Sequence, residues 1–293
     1  MKRRLVSIDD LSMSDISRLF FELRYKQDAC RLPRAPIVMI YFLESSTRTH
    51  ISFEMAAAKL GAKVISFNSS TSSLNKGESW FESLLTLDAM GPDVIITRTP
   101  FLLEENTVEQ IQAAIINGGD GCNEHPTQAL LDCYTLLEHF DCEDLDGKNI
   151  LIVGDILHSR VAHSNIKLFQ KFKAKLSLLA PPIFSKEMYG CKHYSSFSDV
   201  DHKKFDAVMV LRIQKERLER EIGMSDQDYF WHFGMSEERF SKMADHCVLL
   251  HPGPMNNKVE IDGNLRGHIR SLISKQVENG VLVRKKLLEQ FFI

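Results

Sequence analysis

The chain has 293 residues, of which 44% are hydrophobic, and its formal net charge is −3 at pH 7. This length and apolar content allow two domains with buried cores. The slightly negative charge gives no electrostatic reason to expect nucleic acid or an anionic membrane as a partner. Any anion-binding site should therefore be a local feature.

The sequence predicts a cytoplasmic protein without a metal site. The first residues lack the apolar core of a signal peptide, and no apolar stretch approaches the length of a membrane span. The six cysteines are scattered without a C-x-x-C pair, as is typical of reduced thiols. The histidines show no metal-ligand spacing such as H-E-x-x-H.

The predicted elements alternate between helices and apolar strands, which indicates an α/β protein. After a first helix over 11–25, a strand at 37–42, a helix ending at Gly61 and a strand at 62–67 form a βαβ unit. We then expect a helix over 78–89, a strand at 92–97, a helix over 104–116 running into a short strand, and a helix from Pro126. A second α/β unit follows, with strands at 149–153, 175–180, 206–211 and 247–250, a helix from Arg160 and a C-terminal helix over 272–291.

A polar turn after the first of these strands is a candidate anion site. Ser46, Thr47, Arg48 and Thr49 stand at the start of the predicted helix. A helix N-terminus attracts anions through its backbone N–H groups, and the hydroxyls and the guanidinium add donors suited to phosphate. The same residues also fit a simple helix cap with a solvated arginine, and the turn alone does not decide between the two interpretations.

Other polar residues follow strands whose carboxyl ends should share that sheet edge. Arg98 ends one strand, and His125 and Gln128 begin a helix, where they can face the same way. Lys76 ends a serine-rich loop and could be delivered to the site as a positive charge. A solvated Lys76 and a structural His125 are the alternatives.

Five segments in order resemble the catalytic chains of the aspartate carbamoyltransferase family, within the aspartate/ornithine carbamoyltransferase superfamily. The resemblance covers essentially the whole chain. Thr127 and Gly253 stand where ornithine carbamoyltransferases have their own His-Pro-Cys-Gln and His-Cys-Leu-Pro segments, which favours aspartate as the acceptor. The segments are Ser46-Thr47-Arg48-Thr49, Lys76-Gly77-Glu78, His125-Pro126-Thr127-Gln128, Leu211-Arg212-Ile213-Gln214-Lys215-Glu216-Arg217 and His251-Pro252-Gly253-Pro254-Met255-Asn256.

The resemblance implies the family fold of two mainly parallel sheets flanked by helices. Residues 1–133 would form the carbamoyl phosphate-binding domain, with helix 277–293 packing back on it, and 134–276 the aspartate-binding domain. It implies transfer of a carbamoyl group from carbamoyl phosphate to L-aspartate in pyrimidine synthesis, without a cofactor, by a homotrimer with shared active sites. Whether regulatory chains or a dihydroorotase also bind is left open.

The resemblance also implies a role for each site residue. Ser46, Thr47, Arg48 and Thr49 would hold the phosphate, with Ser72 and Lys76 reaching in from a neighbouring subunit. Thr49, Arg98 and His125 would polarise the carbonyl oxygen, while Gln128 and the backbone carbonyls of Pro252 and Gly253 bind the carbamoyl amide. Arg160, Arg212 and Gln214 would bind aspartate. We expect these groups to meet in one cleft.

Three residues depart from the family pattern. His50 and Asn257-Lys258 stand where arginine and Arg-Gly are usual, so local loop geometry is in doubt.

Two other functions compete with the one implied: transfer to a different amine, and a non-catalytic scaffold of the same fold. A product assay that compares aspartate with ornithine would test transfer to a different amine. A scaffold should have lost its ligand-binding cations, and all five are present in this chain. A nucleotide-binding Rossmann enzyme is disfavoured because G-x-G-x-x-G is absent.

Overall fold

The computed structural model describes residues 4–25, 34–67, 76–185, 190–214 and 223–292. The chain divides into two compact units. Unit 1 comprises Met1–Leu131 together with Val277–Ile293, and unit 2 comprises Asp132–Gln276. Each unit is built on its own sheet.

Unit 1 contains a five-stranded sheet in which every pair of neighbours is parallel. The strand order is β1-β5-β4-β2-β3. Its elements, in chain order, are β1 (Arg4–Leu5), α1 (Met13–Tyr25), β2 (Ile37–Phe42), α2 (Thr47–Ala58), β3 (Lys63–Phe67), α3 (Trp80–Ala89), β4 (Val94–Thr99), α4 (Glu105–Val108), β5 (Ala114–Asp120) and α5 (Pro126–Phe140), the last of which continues into unit 2.

The central strands of unit 1 are apolar on both faces because helices cover both faces. Val38 and Ile40 of β2 pack with Phe53 of α2 on one face. Met39 and Tyr41 pack with Leu84 of α3 on the other. Successive side chains of a strand point to opposite faces, so the continuous apolar run is what a doubly covered strand requires.

Unit 2 repeats this plan with a second five-stranded parallel sheet, in the order β10-β9-β6-β7-β8. None of the helices in the described part of the chain is long and apolar enough to cross a membrane. The elements of unit 2 are β6 (Asn149–Val153), α6 (Arg160–Lys171), β7 (Lys175–Leu179), β8 (Lys192–Tyr194), β9 (Ala207–Val210), α7 (Asp226–Phe233), α8 (Glu237–Lys242) and β10 (Val248–Leu250). The last helix, α9 (Ile273–Phe292), begins in unit 2 and belongs from Val277 onward to unit 1.

The predicted fold class is confirmed, whereas the long helix over 104–116 is wrong. Only Glu105–Val108 is helical, and β5 begins at Ala114. The buried Asp88 accepts hydrogen bonds from the N–H groups of Gln112 and Ala113, both at 2.9 Å, and so directs the chain into β5. A tertiary contact therefore overrides the helical spacing of the apolar residues.

Strand β5 also runs through two consecutive glycines, Gly118 and Gly119. A Cβ on Gly118 would lie 3.1 Å from the Phe42 ring and 3.2 Å from the carbonyl oxygen of Thr97. Glycine is needed here because β5 passes close to its neighbours. The strand consequently extends to Asp120, at the edge where β2 and β4 also end.

We predict that Asp88→Ala destabilises unit 1. The substitution leaves the buried N–H of Ala113 and the part-buried N–H of Gln112 without this acceptor, which should lower the free energy of unfolding by about 2–4 kcal/mol. Thermal unfolding should show a midpoint lower by at least about 4 °C. Glu109→Ala, which removes an exposed carboxylate from the same stretch, serves as the control, and equal midpoints for the two variants would contradict the assigned role.

Candidate active site

The carboxyl ends of the parallel strands in unit 1 meet at one edge of the sheet, and polar residues collect there. Strand β2 leads into Ser46 and α2, Arg98 is the fifth residue of β4, and His125 follows β5 immediately before α5. Phe42 pairs with Arg98 across β2 and β4, and the Leu43 N–H donates to the Arg98 carbonyl at 2.8 Å. The edge thus brings segments from three parts of the sequence together.

The start of α2 has the properties of an anion-binding helix N-terminus. Ser46 occupies the cap position but, within the described structure, its side chain makes no capping hydrogen bond, and no acidic residue lies in the first turn. In contrast, Ser79 caps α3 by accepting from Glu82 N–H. The exposed Arg48 adds positive charge to this turn. The first turn of α2 is therefore electropositive and open to an anion.

Thr49 and His125 join the starts of α2 and α5. Thr49 Oγ1 lies 3.4 Å from His125 Nε2, and these residues are 5% and 4% exposed. Gln128, one helical turn along, is also buried and donates its backbone N–H to the His125 carbonyl at 3.0 Å. Two side chains that are 76 positions apart in sequence are therefore neighbours.

Arg98 is held at the same edge by two contacts. Its Nη1 donates to the Gly118 carbonyl at 2.9 Å, and its Nε lies 3.3 Å from Glu44 Oε2. Glu44 was not among the residues predicted for the site, although an acidic residue inside a predicted anion-binding turn is a signal that could have identified it. Its carboxylate orients the guanidinium and offsets part of its charge.

Buried acids fix the turn that precedes His125. Asp120 accepts from Leu103 N at 3.0 Å, from Glu124 N at 2.9 Å and from Asn117 Nδ2 at 2.8 Å. Glu124 in turn accepts from the backbone N–H of Ile8 at 3.0 Å and from the Ser7 hydroxyl. These carboxylates are structural supports that sequence reasoning missed, because their partners Leu103, Ser7 and Ile8 are distant in sequence.

Two predicted residues lie in or beside the serine-rich loop. Lys76 is exposed and precedes Gly77 and α3. Ser72 lies outside the described residues. The structure therefore places Lys76 four residues before the start of α3, and the role of Ser72 stays a prediction.

In unit 2, Arg160 is the first residue of α6, as the sequence predicts. Ser159 caps this helix by accepting from Ala162 N–H at 3.1 Å. The preceding Asp155 is buried and accepts from both His158 N and His158 Nδ1 at 3.0 Å. Arg160 is half-buried and starts the helix that follows the carboxyl end of β6.

Arg212 and Gln214 occupy an extended segment that leaves the carboxyl end of β9. Both are exposed, and Ile213 between them is fully buried. This alternation is that of an extended chain with one face on the core. The two polar side chains therefore share the solvent face, as predicted.

The turn at 251–254 leaves the neighbouring strand β10. Pro252 and Gly253 are half-buried, and Gly253 has φ +66°, a conformation that favours glycine. The Gly253 N–H donates to His251 Nδ1 at 2.8 Å. Because the strand order is β10-β9-β6, this turn, the Arg212 segment and Arg160 follow three adjacent strands.

The environment of Tyr229 in unit 2 fixes the protonation state of its phenol. Burial raises the pKa of the Tyr229 phenol well above its usual range, and the carboxylates of Asp155 and Glu260 raise it further. Tyr229 is thus a neutral phenol at physiological pH.

In the described ranges, no cluster of three or more His, Cys, Asp or Glu side chains could hold a metal ion.

The departures from the family pattern have local partners. His50 Nε2 lies 3.0 Å from Glu54 Oε1 and 3.1 Å from the Ser66 hydroxyl, away from the cap of α2. Lys258 takes the left-handed conformation with φ +59° at the position where the resemblance predicts glycine, and its ammonium pairs with Asp262. Asn257 Oδ1 accepts from Gly263 N–H at 2.7 Å.

Comparison with known proteins matches both halves of the chain to family models. Residues 3–138 match the carbamoyl-P binding domain of aspartate/ornithine carbamoyltransferase, and residues 146–291 match its Asp/Orn binding domain. The chain is 44% identical to the aspartate carbamoyltransferase catalytic subunit of Thermus aquaticus over 87% of this chain and 84% of that protein. It is 40% identical to the aspartate carbamoyltransferase catalytic subunit of Thermus thermophilus, over 99% of this chain and 98% of that protein.

The fold of the chain is also similar to solved structures of aspartate transcarbamoylase. Aspartate transcarbamoylase from Trypanosoma cruzi, in complex with carbamoyl aspartate and phosphate, superposes with a TM-score of 0.83 at 27% identity, covering 98% of this chain and 94% of that one. Its complex with N-(phosphonacetyl)-L-aspartic acid gives a TM-score of 0.85 with the same identity and coverage. The chain therefore belongs to the aspartate/ornithine carbamoyltransferase family.

Proposed function

We propose that the chain transfers the carbamoyl group of carbamoyl phosphate to the amino group of L-aspartate, giving N-carbamoyl-L-aspartate and phosphate in pyrimidine biosynthesis. The observation that carries the proposal is the contact between Thr49 and His125 beside the electropositive start of α2, at the sheet edge that also carries Arg98. Relatives named aspartate carbamoyltransferase catalytic subunit match nearly the full chain at 40% identity, which supports aspartate as the acceptor.

Unit 1 supplies groups suited to carbamoyl phosphate. Ser46, Thr47, Arg48 and Thr49 would hold the phosphate through hydroxyls, helix N–H groups and one guanidinium. Thr49, Arg98 and His125 would donate hydrogen bonds to the carbonyl oxygen as negative charge develops on it. Preorganised donors of this kind stabilise an oxyanion without reorganising during the reaction.

Unit 2 supplies groups suited to the acceptor. Arg160, Arg212 and Gln214 would bind the carboxylates of aspartate, and the two exposed side chains of the extended segment can reach the same ligand. The backbone carbonyls of Pro252 and Gly253, together with Gln128, would accept hydrogen bonds from the carbamoyl amide. A dicarboxylate needs cations in this way, whereas a diamino acid does not.

The chemistry requires positioning and charge stabilisation. Holding the amine against the carbonyl carbon makes the attack effectively unimolecular, and the departing phosphate would take the amine proton. Together the two substrates carry roughly four negative charges. Five cations would balance them: Arg48, Lys76, Arg98, Arg160 and Arg212. Neither a cofactor nor a covalent enzyme intermediate is required.

A product assay with matched acceptors tests the substrate. We expect N-carbamoyl-L-aspartate from carbamoyl phosphate and L-aspartate, and no citrulline when L-ornithine replaces aspartate, because Arg212 suits the side-chain carboxylate of aspartate and would repel the side-chain ammonium of ornithine. Chromatographic separation of the two products provides the measurement. Citrulline formation with no carbamoyl aspartate would overturn the assignment.

We predict that Arg48→Ala abolishes measurable turnover while the fold is retained. Loss of one charge-assisted contact should cost about 2–4 kcal/mol of transition-state binding. Inorganic phosphate should raise the thermal midpoint of the unsubstituted chain by about 2–4 °C and should fail to do so for the variant. Lys59→Ala, at the exposed opposite end of α2, is the matched control, and full activity of Arg48→Ala would refute the phosphate site.

We further propose a cytoplasmic homotrimer in which Ser72 and Lys76 complete the site of a neighbouring subunit. The name catalytic subunit, carried by the relatives, and the family resemblance support an oligomer. Lys76 is exposed at the end of its loop and is suited to such a contact. The sharing of Lys76 between subunits makes a prediction that activity measurements can check.

Mixing inactive Lys76→Ala chains with inactive Arg48→Ala chains should restore part of the activity. Some sites of a mixed trimer then receive an intact Arg48 from one chain and an intact Lys76 from the other. Arg48→Ala mixed with Arg98→Ala is the control and should stay inactive, because both substitutions affect the site of the same chain. Recovery in neither mixture, with mixed trimers verified by mass spectrometry, would argue against subunit sharing.

A further inference from the structure

A buried polar network lies behind the turn that carries Pro252 and Gly253. The side chains of His251 and Glu260 are 0% and 1% exposed, and His251 Nε2 lies 3.3 Å from Glu260 Oε1. On the other side of the turn, the backbone N–H of His251 donates to Gln276 Oε1 at 2.9 Å. The histidine is therefore fixed through both its backbone and its ring.

The hydrogen bonds determine the tautomer of His251. The Gly253 N–H donates to Nδ1 at 2.8 Å, so this nitrogen is an acceptor. A neutral imidazole then carries its hydrogen on Nε2, where it can donate to Glu260. In this arrangement the ring transmits the position of the Glu260 carboxylate to the backbone of Gly253.

Asn256 connects the same carboxylate to the segment after β9. Its backbone N–H donates to Glu260 Oε1, and its Nδ2 donates to Glu260 Oε2 at 3.1 Å and to the Ile213 carbonyl at 3.0 Å. The Asn256 amide orientation is unambiguous because both partners of Nδ2 are acceptors. Ile213 stands between Arg212 and Gln214.

We propose that His251, Asn256 and Glu260 are positioning residues that fix the segment carrying Arg212 and Gln214 relative to the Pro252–Gly253 turn. This inference rests on the proposed function, in which these two segments bind the acceptor and the carbamoyl amide. The network contacts no substrate in that scheme. It sets the relative placement of two groups of binding atoms, and displacement by about 1 Å can cost a reaction 100-fold in rate.

Stability alone does not account for the network. Replacing a buried ionic or polar group by packed apolar residues is often neutral or stabilising, and apolar residues such as Met235 and Ile261 are buried in the same unit. An apolar side chain at 251 or 256 cannot accept the Gly253 N–H or donate to the Ile213 carbonyl. The polar residues are needed to hold these two backbone groups at fixed positions.

The test compares Asn256→Ala with Asn257→Ala in the full chain. Both variants remove an amide from the same loop, but the Asn257 amide bonds to Gly263 rather than to Ile213. We expect kcat/KM for aspartate to fall about 10- to 100-fold in Asn256→Ala and to stay within about twofold in Asn257→Ala, at similar thermal midpoints. Stabilisation by inorganic phosphate, which probes unit 1, should be unchanged in both.

A second pair tests His251 independently, should Asn256→Ala fail to fold. His251→Asn retains an acceptor near the position of Nδ1, whereas His251→Leu does not. We expect the asparagine variant to keep at least about tenfold more kcat/KM for aspartate than the leucine variant, since it can still accept the Gly253 N–H.

Equal kcat/KM within each pair, in an otherwise active enzyme, would overturn the positioning role and leave the proposed function intact. An unsubstituted chain that forms no carbamoyl aspartate would instead overturn the proposed function, and this inference with it. A loss of activity matched by an equal loss of folded protein, with kcat and KM of the folded fraction unchanged, would show a structural role and also overturn the inference.

Discussion

Parallel strand pairing is the constraint on which the candidate site depends. In each unit, all strand neighbours are parallel, so every strand delivers its following residue to the same edge of the sheet. The anion-binding turn, Arg98 and His125 reach this edge in unit 1 from β2, β4 and β5. Arg160 and Arg212 reach the corresponding edge in unit 2. Residues far apart in sequence therefore lie at one sheet edge, because the hydrogen bonds between parallel strands fix the positions at which the strands end.

Buried carboxylates then convert this approximate placement into fixed geometry. Asp120 accepts hydrogen bonds from backbone and side-chain donors around the turn before His125. Glu260 serves the turn of unit 2 through His251. A buried carboxylate that accepts several N–H groups is costly to leave unpaired, so each such group allows few alternative backbone arrangements. The site residues that face solvent are held by residues that do not.

Departures from the family pattern fall where the structure tolerates them. Lys258 adopts a left-handed conformation, which usually favours glycine, but its side chain pairs with Asp262 in the same loop. His50 contacts Glu54 one helical turn along α2 and takes no part in the cap. Both substitutions lie outside the contact of Thr49 with His125 and the contacts of Arg98 with Gly118 and Glu44. The chain can therefore vary at these positions without altering the electropositive turn.

The sequence by itself determined the α/β class, the βαβ order and the segments at the strand ends, because apolar runs, helix starts and motif order are local properties. It also determined the family, since five short segments in a fixed order are far more specific than any one of them. Only the tertiary structure decided that residues 109–113 leave the helix, that Glu44 holds Arg98, and that Asn256 reaches Ile213. Each of these depends on a partner between 24 and 54 positions away in sequence. The local sequence carries no information about such contacts, because they form only once the sheets have assembled.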